Sequence, residues 1–117
     1  MTRYQTQPCA ECPWRTDVVP GRFPPERFRD LAATAYDLAV AQFACHMSPE
    51  GAEFGCAGFV LRGAAHNLGA RLAARVGRLR LGEIASPYPL HASYRAMAVA
   101  NGVDPDDRAL AACRDPD

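Results

Sequence analysis

Four cysteines in the first half of the chain restrict its fold more than any other feature. Cys9 and Cys12 form a C-x2-C pair, Cys45 follows after 32 residues, and Cys56 after 10 more. Three of the four stand in segments with no helical or strand period. Residues 1–23 carry three prolines and a Pro-Gly-Arg-Phe turn, and residues 41–55 carry a Ser-Pro-Glu-Gly turn. Four thiolates gathered by two loops around a helix suit a tetrahedral ion or a cubane cluster. Without a cation such thiolates would repel one another, so a metal would supply both the charge and the core that the loops lack. The plainer alternative is that each cysteine buries as a small hydrophobe.

Spacing also bears on the metal. Structural zinc sites draw on two tight pairs, whereas here only Cys9 and Cys12 are tight. Cys45 and Cys56 are spread over a loop, which a larger object tolerates better. Cys12-Pro13 matches the Cys-Pro that ends the bacterial ferredoxin run. Gly55 and Gly58 flank Cys56 and would let amides approach cluster sulfides, and Trp14, Phe43, Phe54 and Phe59 could form an apolar shell. The expectation is a [4Fe-4S] cluster on Cys9, Cys12, Cys45 and Cys56, with zinc as the alternative. His46 is the substitute ligand or a donor behind the ligands. A thiol-redox enzyme is the remaining rival, but its C-x-x-C belongs near a βαβ pattern that this chain lacks. Cys113 stands alone near the C-terminus, and His66 and His91 have no carboxylate at catalytic spacing. No phosphate-loop, nucleophile-elbow or zinc-protease motif occurs, so no catalytic residue is assigned and a binding role is expected rather than catalysis.

The chain has 117 residues, one domain's worth, with 49% apolar residues. Twenty-two of these are alanine, so the core is thin. No stretch of 18 apolar residues and no leader-like apolar region occurs, which predicts a cytoplasmic protein without membrane contact. In that compartment disulfides are rare, and five cysteines cannot all pair.

The remaining pattern is helical, with no alternating strand. Pro24-Pro25-Glu26 opens a helix expected over about Glu26–Val40. A second, bent near Asn67, is expected from Cys56 to about Leu79, with Phe59 or Val60, Ala64, Leu68, Leu72 and Val76 on its inner stripe. A third has Leu90, Tyr94, Met97 and Ala98 inward and stops at Asn101-Gly102. The last follows Asp104 as N-cap. The expected fold is a mainly α, four-helix single domain over 1–117, with the cysteine site in 1–58 and the helical remainder in 59–117.

Net charge is zero, and all 13 basic residues are arginine. Residues 59–83 are the exception to this balance, with five arginines against one acid. Arg71, Arg75 and Arg78 recur at i, i+4 and i+7. The ordinary reading is a solvated face; the sharper one is a strip for an acidic protein partner or a nucleic-acid backbone.

The segments "PCAECPWR", "FACHMSPEG", "CAGFVLRG" and "YRAMAVANGVDP" together resemble DUF6283, a family of small proteins from actinobacteria and their phages. The resemblance implies that Cys9, Cys12, Cys45 and Cys56 act as one unit, and it carries no activity. A looser similarity of type is to WhiB-like regulators, small helical proteins that hold a [4Fe-4S] cluster and bind a sigma factor. That similarity implies a regulatory or accessory role against RNA polymerase or a sigma factor.

Overall fold

Pro24 is extended and Pro25 opens α1 (Pro25–Leu31), where a missing N–H costs no hydrogen bond. The computed structural model describes residue 1 and residues 3–116. Helix α1 buries Phe28, then tightens into a 3-10 turn over Ala32–Ala35 and gives way to extended backbone at Tyr36. The expected continuation to Val40 is therefore corrected, and the reason is competition for hydrogen bonds. Leu38, at φ +62°, donates to the His66 carbonyl at 3.2 Å, and the Leu68 N–H reaches the Ala39 carbonyl at 2.7 Å. The Asn67 amide, buried between these segments, donates to the carbonyls of Thr34 (3.0 Å) and Ala41 (2.7 Å).

The same asparagine divides the next segment. Helix α2 (Ala57–Arg62) stops at Gly63, and α3 (Leu68–Arg75) starts where Asn67 Oδ1 accepts the Ala70 N–H at 2.9 Å. One bent helix was expected; two are found. The inner stripe holds at Phe59 and Ala64, which are buried, and is corrected beyond Asn67. Helix α3 buries Ala70 and Ala73, while Leu68, Leu72 and Val76 are 40%, 55% and 56% exposed. Gly69 lies so close to the Val40 carbonyl that any Cβ would overlap it, and this close seat turns the small residues inward.

Helix α4 (Tyr94–Ala100) begins with Ser93 Oγ accepting the Ala96 N–H and buries Tyr94, Met97 and Ala98. It stops at Asn101, followed by Gly102 at φ +102°. Leu90 lies outside it, in an isolated bridge with Arg15. Helix α5 (Arg108–Ala111) is capped by Asp107, whose Oδ1 accepts the Ala109 N–H at 2.9 Å. Asp104, the expected cap, instead accepts the Asp106 N–H at 2.8 Å. The described residues thus form five α-helices rather than four.

No strand forms among the described residues, yet isolated bridges join three extended segments. Gly55 pairs with Tyr4 in parallel and with Ala44 antiparallel. Its N–H and carbonyl bond to Arg3 and Gln5, while the Cys45 N–H meets the Phe54 carbonyl (2.9 Å) and the Cys56 N–H meets the Phe43 carbonyl (3.1 Å). Alternation along extended backbone puts Phe43, Cys45, Phe54 and Cys56 on one face, and all four are buried. With a radius of gyration of 13.0 Å, the chain is a small helical domain folded about one core. None of its helices is long and apolar enough to cross a membrane.

A four-thiol candidate metal centre

Trp14, fully buried, is the centre of that core. Phe43, Phe59 and Tyr94 stand around it with ring centroids at 5.9, 6.3 and 5.7 Å. The indole lies against α2: a Cβ at Gly58 would stand 2.5 Å from the Trp14 Cβ, and one at Gly63 would stand 2.6 Å from its far edge. Gly55 is covered in the same way by the Tyr4 ring. The bare backbones of Gly55 and Gly58 therefore receive aromatic rings where a Cβ would stand. Phe54 stands apart from the Trp14 group, under the Arg3 guanidinium.

Trp14 fixes the direction of the loop that carries the first two cysteines. The Cys12 N–H turns back to the Cys9 carbonyl at 3.3 Å, and the Arg15 N–H to the Cys12 carbonyl at 3.0 Å. The Arg15 guanidinium then clamps the turn. Nη1 donates to the carbonyls of Cys9 (3.1 Å) and Ala10 (3.3 Å), Nε and Nη2 hold both Asp17 oxygens, and the plane lies 3.6 Å over the Tyr88 ring. The second pair comes from the extended segments, where Ser48 closes the intervening loop by donating to the Cys45 carbonyl and accepting from the Phe54 N–H.

These two supports bring side chains of the two loops together in pairs. Cys12 Sγ lies 3.8 Å from Cys56 Sγ. Cys9 Sγ lies 2.9 Å from His46 Nε2 across the two loops. Cys12, Cys45 and Cys56 are buried and Cys9 is half-buried. The contacts are pairwise: among the described residues no three His, Cys, Asp or Glu side chains enclose one point as a formed ion cage would.

The environment keeps Cys9, Cys12 and Cys45 protonated near neutral pH. The Cys56 contact and then burial push the Cys12 thiol up to about 12. The Cys9 contact, with burial, carries Cys45 far above the usual thiol range. Cys9 is raised mainly by Cys12, partly offset by Cys45. Burial, reinforced by Arg22, lowers the His46 imidazole. Cys9 and His46 are thus a neutral pair, unlike the thiolate that a redox nucleophile needs.

Cys113 lies apart from these cysteines. It is buried beyond α5, 3.7 Å from the Ala32 carbonyl. His91 is half-buried with its imidazole lowered by burial. Arg71 and Arg75 are exposed on α3, whereas Arg78 follows the Gly77 reversal (φ +86°) and lines a separate hollow with Arg3 and Arg80. Sequence reasoning placed Tyr94 inward but missed its packing on Trp14, and it missed the Arg15 clamp. Arg15 could have been found from its place directly after Cys-Pro-Trp.

Fold and site together define a small helical protein with two cysteine-bearing loops drawn to one buried locus. Residues 4–114 match a family of unknown function (DUF6283), and the chain belongs to it. No curated protein and no solved structure matches it.

Proposed function

We propose that the chain is a cytoplasmic binding module whose two loops are fastened by a thiolate metal centre on Cys9, Cys12, Cys45 and Cys56, with zinc as the metal. The observation that carries this reading is the 3.8 Å between the sulfurs of Cys12 and Cys56. Two sulfurs each about 2.3 Å from one tetrahedral zinc stand about 3.8 Å apart. The donor set fits a thiophilic ion, and His46 beside Cys9 is placed to orient that sulfur or replace it. The ion would hold together loops that have little regular structure. The raised thiols speak against a redox nucleophile, and the proposed role is recognition of a macromolecular partner.

A [4Fe-4S] cluster is the second reading, favoured by the wide spacing of Cys45 and Cys56 along their segment, which a larger inorganic body tolerates better than a single ion. Metal and sulfide analysis of anaerobically purified protein separates the two. The expected result is a colourless protein with one zinc per chain, lost in Cys56→Ser. Iron with acid-labile sulfide and a brown colour would establish the second reading, and protein free of both metals would sink the proposal.

A further inference from the structure

The exposed leucines of α3 lie in a broad open groove of about 930 Å³ between α2, α3 and the segment around Leu81. Its apolar wall includes Leu61, Leu68, Leu72 and Leu81, over a floor containing Ala70 and Leu79, both buried. Arg62, Arg71 and Arg75 stand at its rim. All three are exposed, and among the described residues none has an ion-pair partner, unlike Arg15, Arg22, Arg29, Arg80, Arg95 and Arg114.

From this pairing of an apolar trough with unpaired cations we infer that the groove between α2 and α3 binds an acidic amphipathic helix of a partner protein. The inference rests on the reading of the chain as a binding module but not on its metal. A helix in such a groove seats apolar side chains at i, i+3 or i+4 and i+7. Leu68 and Leu72 stand one turn apart along α3, about 6 Å, and Leu61 and Leu81 add apolar wall beside them for further anchors. Carboxylates flanking the anchors meet Arg62, Arg71 and Arg75. Charge complementarity of this kind sets orientation and speed of association, while the apolar contacts supply the affinity. A phosphate backbone has no use for three exposed leucines, Leu68, Leu72 and Leu81, between its cations. A bilayer surface takes a convex apolar face rather than a trough with a buried floor.

The test uses the full chain, purified with its metal content measured, and three probes. The first is a blocked helical peptide of about 15 residues with leucines at i, i+4 and i+7 and glutamates beside them. The second has lysine in place of every glutamate, and the third has the same residues as the first in scrambled order. Fluorescence anisotropy should show binding of the acidic ordered peptide only. Leu72→Asp should weaken it at least about tenfold, as loss of a central anchor does. Arg71→Glu/Arg75→Glu should exchange the preference toward the lysine peptide. Both substitutions are on exposed positions, and an unchanged metal content and melting curve certify the fold. Equal binding of the scrambled peptide, no binding at all, or tighter binding to a DNA duplex or a phosphatidylserine vesicle would overturn the inference. Loss of the metal proposal alone leaves this result unaffected, so the two fail separately.

Discussion

Gly58 presents bare backbone to Trp14 at a separation that no side chain could share, 2.5 Å from a would-be Cβ to the indole's own Cβ. Because Trp14 follows Cys12 by two residues and Gly58 follows Cys56 by two, this contact sets how closely the two cysteine-bearing loops approach. Gly58→Ala should therefore destabilise by about 1–3 kcal/mol through overpacking, and Trp14→Ala by about 3–5 kcal/mol. Urea unfolding measures both. A neutral Gly58→Ala would mean that the loops are spaced by something other than this contact.

Asn67 spends its side chain on three backbone partners: the Ala70 N–H and the carbonyls of Thr34 and Ala41. Asn67→Ala should cost about 2–4 kcal/mol, combining a lost N-cap with buried acceptors left unpaired. Asn67→Asp keeps the cap but loses both donors, so it should recover only part of that loss in the same unfolding experiment.

The thiols of Cys9, Cys12 and Cys45 are all raised above the ordinary value. Ligation requires thiolates, so zinc uptake must release protons and its affinity should rise with pH between about 6 and 8. Competition against a colorimetric chelator reads this directly. A pH-independent affinity would contradict thiolate ligation. Removal of zinc with a strong chelator should lower the melting temperature and increase alkylation of Cys9, the most accessible of the four.

Burial pushes the Cys113 thiol up to about 11. Below about pH 8.5 the thiol is protonated in folded and unfolded chains alike and favours neither. Between that pH and 11 only the unfolded chain gives up its proton, so stability falls as pH rises. Cys113→Ala should lose some stability at pH 7 but show a shallower decline from pH 9 to 11 in thermal melts. Parallel pH curves for the two proteins would remove Cys113 from the alkaline response.

Local chemistry announced some elements in advance. The Pro24-Pro25-Glu26 opening of α1, the Asn101-Gly102 stop of α4 and the clustering of aromatic residues beside the cysteines all follow from residue types acting over a few positions. What escaped prediction depends on distant partners. Helix α1 ends early because Asn67, far along the chain, takes the carbonyls of Thr34 and Ala41. Leu68, Leu72 and Val76 have the period of a buried stripe, but Gly69 seats the helix on its other side. The pairing of Gly55 with Tyr4 and Ala44 has no alternating pattern to reveal it, since each contact is a single bridge. The closeness of the Cys12 and Cys56 sulfurs and the Arg15 clamp depend on contacts between distant segments, which spacing along the chain does not reveal.

Trp14 is the chain's single tryptophan, and it is enclosed by rings from three separate segments. Ultraviolet emission from the whole molecule therefore reports one spot, where the N-terminal loop, the extended cysteine segments and α4 meet. Far-ultraviolet dichroism follows the short helices but not how they pack. The indole's blue-shifted emission would distinguish an intact fold from a collapsed one, and its change during titration would time the docking of the loops.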